Sequence, residues 1–273
     1  MKLLAIGDIH GRDNWKDKLF GSTYDYENWV TRDLLNGVTE EMADTWPFHK
    51  WDKIVFIGDY VDSFTVTNVM MLKNLEDIIR FKKAFPDKVI LILGNHDVQY
   101  IVKGQQCSGY RPEMQYDFES VFRANLDLFQ MAYLADSTMP HPTLFTHAGV
   151  SKSWEKELRN EFINAKSHKR EMFAEIAESR IDELLNAAWS LNMSALYMVD
   201  SASGGFNRFA GPLWIRPHKL KGDPLPGYMQ VVGHTPVKCV QEHFMGDPKD
   251  MLTVTLIDCL EHYDSGDYLE IDF

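Results

Sequence analysis

The stretch Lys2-Leu3-Leu4-Ala5-Ile6-Gly7-Asp8-Ile9-His10-Gly11 begins as an apolar run and passes through a glycine into an acid and a histidine. Residues 2–6 read as a short strand. On an extended chain Asp8 and His10 stand two apart, so both can point to the same side. A carboxylate oxygen and an imidazole nitrogen together suit zinc, iron or manganese better than calcium or magnesium alone. Gly7 and Gly11 let the backbone turn sharply where an ion must approach. Taken alone, the motif can also be read as a turn with an incidental Asp and His.

The same arrangement recurs along the chain. Residues 53–57 run into Gly58-Asp59-Tyr60-Val61-Asp62, and residues 89–93 into Gly94-Asn95-His96-Asp97. Thr143–Thr146 runs into His147-Ala148-Gly149, and Met229–Val232 into Gly233-His234-Thr235-Pro236. An aspartate directly after a buried strand is costly unless it is paired or bound to a cation. Asp59 has two oxygens and can bridge two ions, which in two-metal sites lie about 3.5–4 Å apart. Asn95 offers a neutral carbonyl oxygen. In open α/β sheets, sites gather outside the carboxyl ends of the strands, so five such ends point to one site.

Between these strands the pattern turns helical. Met71, Leu75, Ile78 and Ile79 share one helix face that ends near Pro86. Residues 117–133 read as another helix, and 153–191 as two more. In the second of these, Phe173, Ala177, Ile181, Leu184 and Ala188 keep helical spacing. Residues 252–257 and 268–271 read as two further strands. Short strands alternating with helices predict an α/β layered domain. Residues 13–51 are rich in aromatics, among them Trp15, Phe20, Tyr24, Tyr26, Trp29, Trp46, Phe48 and Trp51. They read as an inserted cap with a small aromatic core, or as a lid that shapes a substrate pocket.

Composition excludes several classes of function. With 45% hydrophobic and 25% charged residues the chain can build a large core. Its net charge of -12 and the lack of any Lys or Arg run make a nucleic-acid polymer an unexpected partner. A small anion remains compatible, because bound cations would offset the charge locally. Cys107, Cys239 and Cys259 form no disulfide framework. The first apolar run is too short for a signal peptide, and no apolar stretch reaches 18 residues. No membrane association is expected, and the cytosol is the expected compartment.

In order, Gly7–Gly11 (GDIHG), 58–62 (GDYVD), 94–97 (GNHD), 146–149 (THAG) and 233–235 (GHT) resemble the calcineurin-like metallophosphoesterase superfamily. GDYVD, GNHD and HAG are most similar to its serine/threonine phosphoprotein phosphatase branch and to bacterial relatives, the symmetric diadenosine tetraphosphatases. The resemblance covers the motif-bearing strands between residues 2 and 236, but covers poorly residues 13–51 and the helical block 153–200. It implies one domain over 1–273, an α/β four-layer α-β-β-α sandwich of two mixed sheets with those two segments as insertions. It also implies two divalent metal ions, manganese first, with iron or zinc as alternatives. Asp8, His10 and Asp59 would hold one ion, and Asp59, Asn95, His147 and His234 the other. His96 would donate a proton to the leaving group, oriented by Asp62, and Asn95 would also touch the substrate phosphate.

The match breaks where an arginine is expected. The phosphatase pattern continues GDYVD with Arg-Gly, but this chain has Ser63-Phe64, and Leu93 stands where many members have Arg before GNH. Arg216, in the segment Gly211-Pro212-Leu213-Trp214-Ile215-Arg216-Pro217, is the first candidate to grip phosphate, and is otherwise a surface arginine. Arg12 and Arg111 are weaker candidates. Asp258 follows an apolar run without a motif and reads as structural. His49, His141, His168, His218, His243 and His262 lack a strand-end setting and read as surface or core residues. The implied reaction is hydrolysis of a phosphoester, from a phosphorylated protein or, alternatively, from a nucleotide polyphosphate such as diadenosine tetraphosphate. A catalytically dead scaffold is disfavoured, since every ligand position and His96 are present. The oligomeric state is not encoded in these motifs.

Overall fold

The computed structural model describes residues 1–36, 46–136, 140–165, 170–199, 204–260 and 268–273. Its strands are β1 (Lys2–Ile6), β2 (Lys53–Phe56), β3 (Val89–Ile92), β4 (Phe129–Gln130), β5 (Ala132–Ala135), β6 (Thr143–Thr146), β7 (Met229–Val232), β8 (Gln241–Phe244), β9 (Thr253–Leu256) and β10 (Leu269–Asp272). Its α-helices are α1 (Asn14–Phe20), α2 (Thr23–Asn36), α3 (Asn68–Ala84), α4 (Asn95–Ile101), α5 (Gln115–Ala124), α6 (Lys152–Asn164), α7 (Arg170–Glu178), α8 (Ile181–Ser190) and α9 (Pro217–Gly222).

Along β1, Leu3 and Ala5 face one side and Leu4 and Ile6 the other, and all four are buried. Both sides of the strand must therefore be covered. Leu3, Ala5, Val55, Ile57, Ile90 and Ile92 pack against Phe145, Val231 and Ile257, which forms the core between two sheets. Leu4, Ile6, Phe56 and Leu91 face the other way, onto Met71, Leu75, Ile78 and Phe81 of α3. Each such side chain contributes about 1.5–3 kcal/mol when fully buried. Beyond the second sheet, Val232, Val254 and Leu256 cover Leu220 of α9, and Leu144 lies in one cluster with Leu184 and Leu185 of α8. The result is helices, sheet, sheet, helices.

Both sheets have five strands, in the orders β10-β1-β2-β3-β4 and β5-β6-β7-β9-β8. In the first, β1 to β4 run parallel and β10 is antiparallel to β1. In the second, β6, β7 and β9 run parallel, with β5 and β8 antiparallel at the edges. The five motif-bearing strands are thus all in the parallel parts, and their carboxyl ends meet.

Three expectations need correction. Residues 117–133 are not one helix: α5 stops at Ala124, where the Asn125 side chain donates to the Val121 carbonyl at 2.7 Å. The chain then turns into β4 and β5, which complete the two sheets. Among its described residues, the block from 153 to 191 holds three helices rather than two. Its apolar spacing runs straight across a break at Ser179 and Arg180, where Glu183 accepts the Arg180 N–H and starts α8. Residues 13–51 form no separate aromatic core among the described residues. Trp15, Phe20, Tyr26, Trp29, Phe48 and Trp51 are buried in the main core with Phe56 and Phe81. Residues 37–45, His168 and His262 lie outside the described residues. Among those described, no helix is long and apolar enough to cross a membrane.

Candidate metal centre

Parallel pairing brings the loops after the strands together. The His10 N–H donates to the Asp59 carbonyl at 2.6 Å, and the Gly233 N–H to the His147 carbonyl at 2.8 Å. The sheets are joined across their ends by His234, whose N–H donates to the Asp8 carboxylate at 2.9 Å. Two glycines clear the space between these loops. A Cβ on Gly94 would run into the Asp59 carboxylate, and one on Gly233 into that of Asp8.

Asp8, His10 and Asp59 each offer a ligand atom, all within 4.8 Å of one another. The next three predicted residues gather beside them. Asn95 Oδ1 lies 2.9 Å from His147 Nε2 and 3.0 Å from His234 Nδ1. Asp59 Oδ2 stands between the two groups, 3.8 Å from His10 Nε2 and 3.4 Å from His147 Nε2.

The imidazoles are held in a common way. His10 Nδ1 faces the Val61 carbonyl at 3.0 Å, His147 Nδ1 the Ile57 carbonyl at 2.8 Å, and His234 Nε2 the Trp214 carbonyl at 3.1 Å. A carbonyl only accepts, so each of these nitrogens carries the hydrogen. The other nitrogen of each ring then presents a lone pair inward, as metal-bound histidines do. The Asn95 amide donates to Cys107 Sγ at 3.5 Å, which turns its oxygen toward the rings. Carboxylate oxygens, an amide oxygen and imidazole lone pairs converge here, and this ligand set fits divalent cations.

Electrostatics follow from burial. Desolvation pushes the Asp8 carboxyl well up, helped by the carboxylates of Asp258 and Asp59. Desolvation also lowers His147 and His234 and so keeps their rings neutral, as ligation requires. For Asp59, burial alone would raise the carboxyl, but positive charge on the neighbouring imidazoles, among which His96 is the one raised toward protonation, outweighs it and holds it low.

The backbone is strained at the same places. His10 (φ 45°), Asp59 (φ 50°), Asp62 (φ 66°) and His234 (φ 61°) all lie in the left-handed region. Each such non-glycine residue costs about 1–3 kcal/mol and persists only where its surroundings dictate it.

His96 lies beside this cluster, its ring 5.1 Å from that of His10. Its Nδ1 is 3.1 Å from Asp62 Oδ2. Burial opposes its protonation, yet Asp59, the Asp62 hydrogen bond and Cys107 together raise it well above the ordinary histidine range.

Arg216 borders the site. Its Nε donates to the Gly204 carbonyl at 3.0 Å, and its Nη1 to the His234 carbonyl at 2.9 Å and Thr235 Oγ1 at 3.2 Å. Desolvation lowers it, against the pull of the Asp258, Asp8 and Asp59 carboxylates. Arg111 is instead clasped to the Ser63 carbonyl and the Asn68 side chain. Arg12 is buried close to His10, with Nη1 3.5 Å from the Ile9 carbonyl. His49 lies tilted against Phe48, His141 bonds the Asp250 carbonyl, and His218 lies against Phe206. His243 sits on edge strand β8.

Three residues at the site were missed or misread. Asp97 is fully buried, and its carboxylate accepts the N–H groups of Asp59, Tyr60 and Gly94, each at 2.8 Å. Its place three residues after Gly94, at the start of a helix, is a capping signal that the sequence does contain. Cys107 carries no such signal. Asp258, expected to be structural, hydrogen-bonds the Asp8 side chain. It reaches Asp8 because β9 runs parallel to β7, whose end already meets β1.

Known proteins agree with this layout. The solved structure of a cold-active protein-tyrosine phosphatase from a psychrophilic Shewanella species is 16% identical, with 99% of this chain and 75% of that chain covered at a TM-score of 0.50. A point mutant of a cold-active protein tyrosine phosphatase is 17% identical over 99% of this chain and 75% of its own, with a TM-score of 0.49. At 16% identity the likeness to the Shewanella enzyme bears on the fold alone. No curated protein sequence matches the chain. The sequence profile described as calcineurin-like phosphoesterase matches residues 1–210, ending before Arg216 and His234. Four of the five motifs fall inside that match, over most of the 273 residues, and the chain therefore belongs to the calcineurin-like phosphoesterases, a family of metal-dependent phosphoester hydrolases.

Proposed function

We propose that the chain is a phosphomonoesterase of the protein phosphatase kind, acting on phosphoserine or phosphothreonine. The observation that carries this reading is the His96–Asp62 pair, 3.1 Å apart, beside the acceptor cluster. A serine or threonine alkoxide is a poor leaving group and needs a proton as the bond breaks. The leaving phosphate of a polyphosphate needs that help far less. Asp62 holds the hydrogen on His96 Nδ1, so Nε2 is the nitrogen that delivers the proton.

Asp8, His10 and Asp59 would hold one divalent ion, and Asp59, Asn95, His147 and His234 a second. Manganese is our first assignment, with iron or zinc as alternatives. Bound there, such a pair supplies Lewis acidity toward water and the phosphoryl group. The Asn95 amide and Arg216 Nη2 are assigned to phosphoryl oxygens. Arginine geometry suits this, and its Nε and Nη1 are already anchored. A phosphorylated protein is the proposed partner, met in the cytosol.

One observation favours the second reading, hydrolysis of a nucleotide polyphosphate. Trp214 is partly exposed, and its ring lies 5.6 Å from that of His234, where a base could stack. Trp15, Phe20, Tyr26, Trp29, Phe48 and Trp51 do not support that reading, because they are buried in the core. The manganese-loaded protein should be assayed on phosphoserine and phosphotyrosine peptides and on diadenosine tetraphosphate. Phosphoserine turnover is expected, and cleavage of the dinucleotide alone would overturn the proposal.

A further inference from the structure

We propose that Gln99 and Tyr100 are positioning residues for proton delivery, and that the loop from Cys107 to Arg111 locks them in place. The inference rests on the reading of His96 as proton donor.

On α4, His96, Gln99 and Tyr100 occupy positions i, i+3 and i+4, one face of the helix. All three converge on the carboxylate of Asp62. Tyr100 donates its hydroxyl to Oδ1 at 2.5 Å, while Gln99 Nε2 donates to Oδ2, the oxygen that also meets His96 Nδ1. Asp62 is buried, so its orientation depends on these donors.

The donors are themselves fixed from behind. The Cys107 N–H donates to Gln99 Oε1 at 3.0 Å, and the Arg111 N–H to the Tyr100 hydroxyl at 3.0 Å. With its oxygen taken by a donor, the Gln99 amide must present its NH2 to Asp62. With its lone pair taken, the Tyr100 hydroxyl must point its hydrogen there. Tyr110, in the same loop, packs on Tyr100 with ring centroids 5.4 Å apart. The Arg111 guanidinium closes the loop onto the Ser63 carbonyl, next to Asp62. Two backbone amides thus dictate two side-chain donors, which orient one carboxylate, which orients His96.

Leaving groups of different need separate this role from simple stability. Tyr100→Phe and Gln99→Met should each lower kcat on a phosphoserine peptide roughly 10- to 100-fold, the usual loss for an outer-shell partner. KM should stay the same, and p-nitrophenyl phosphate, whose leaving group needs little protonation, should lose less than about 3-fold. His96→Ala should show the same selectivity more strongly. Equal losses on both substrates, or none, would overturn the positioning role while leaving the His96 result standing. If His96→Ala itself were unselective, the proton-donor reading would fail.

A second measurement does not depend on turnover. In the metal-free protein, NMR should find the His96 Nδ1 hydrogen protected from solvent exchange, and Tyr100→Phe should speed that exchange at least about 10-fold. An unchanged rate would overturn the proposal. Should Tyr100→Phe not fold, Gln99→Met carries both tests.

Discussion

Asp59 does more at this site than any other side chain. Its two oxygens reach toward His10, His147 and the His96 N–H, and its own backbone is bent into the left-handed region. Strain of this kind can be measured at His10, which shares it. In metal-free protein, His10→Gly should melt higher than His10→Ala, by about 1 kcal/mol or more, because only glycine adopts that φ without strain. Equal stability would mean that the φ of 45° is not a stored cost. Asp97 offers a second check. In Asp97→Asn an NH2 would confront one of three backbone N–H groups, at a cost of about 1–3 kcal/mol in a urea unfolding experiment. The meeting of the proposed ligands was legible in the sequence where each lies just past the end of a strand. Asp258 was not, because its meaning lies in a contact with Asp8 across nearly the whole chain.

At the scale of elements, the parallel strands were legible because they are buried on both faces and read as largely apolar runs. The edge strand β8, Gln-Glu-His-Phe, is half exposed and carries no such signal. Helix breaks were hidden for another reason. The apolar face of 173–188 continues in register through Arg180, and only local side-chain capping ends one helix and begins the next. The aromatic segment was misleading because aromatics are equally at home in a core and in a pocket. The structure places Trp15 in the core, with its ring N–H on Asn74 Oδ1 at 2.9 Å. Trp15→Ala should therefore destabilise the protein by about 3–5 kcal/mol, with KM for every substrate unchanged at a temperature where it stays folded. A change in KM without loss of stability would return the segment to the role of a lid.

At the scale of the molecule, the centre couples metal, protons and folding. Buried Asp8 is pushed above its ordinary range and hydrogen-bonds a second carboxylate, Asp258, so the metal-free fold retains a proton that the unfolded chain has lost. The sign follows from linkage. Between the unfolded and the raised folded value the native state binds more protons, so metal-free stability falls as pH rises through that window. A net charge of -12 would give a slope of the same sign through general repulsion. Asp8→Asn separates the two, since it changes the overall charge little but removes this one proton. The wild-type melting temperature should fall more steeply with rising pH than that of Asp8→Asn when both are metal-free. Adding manganese to wild type should release protons and raise stability by about 2.7 kcal/mol at a hundred times the dissociation constant. Parallel pH slopes in the two proteins would place the proton elsewhere. A melting temperature indifferent to manganese, iron and zinc would remove the basis for treating these converging acceptors as a metal centre.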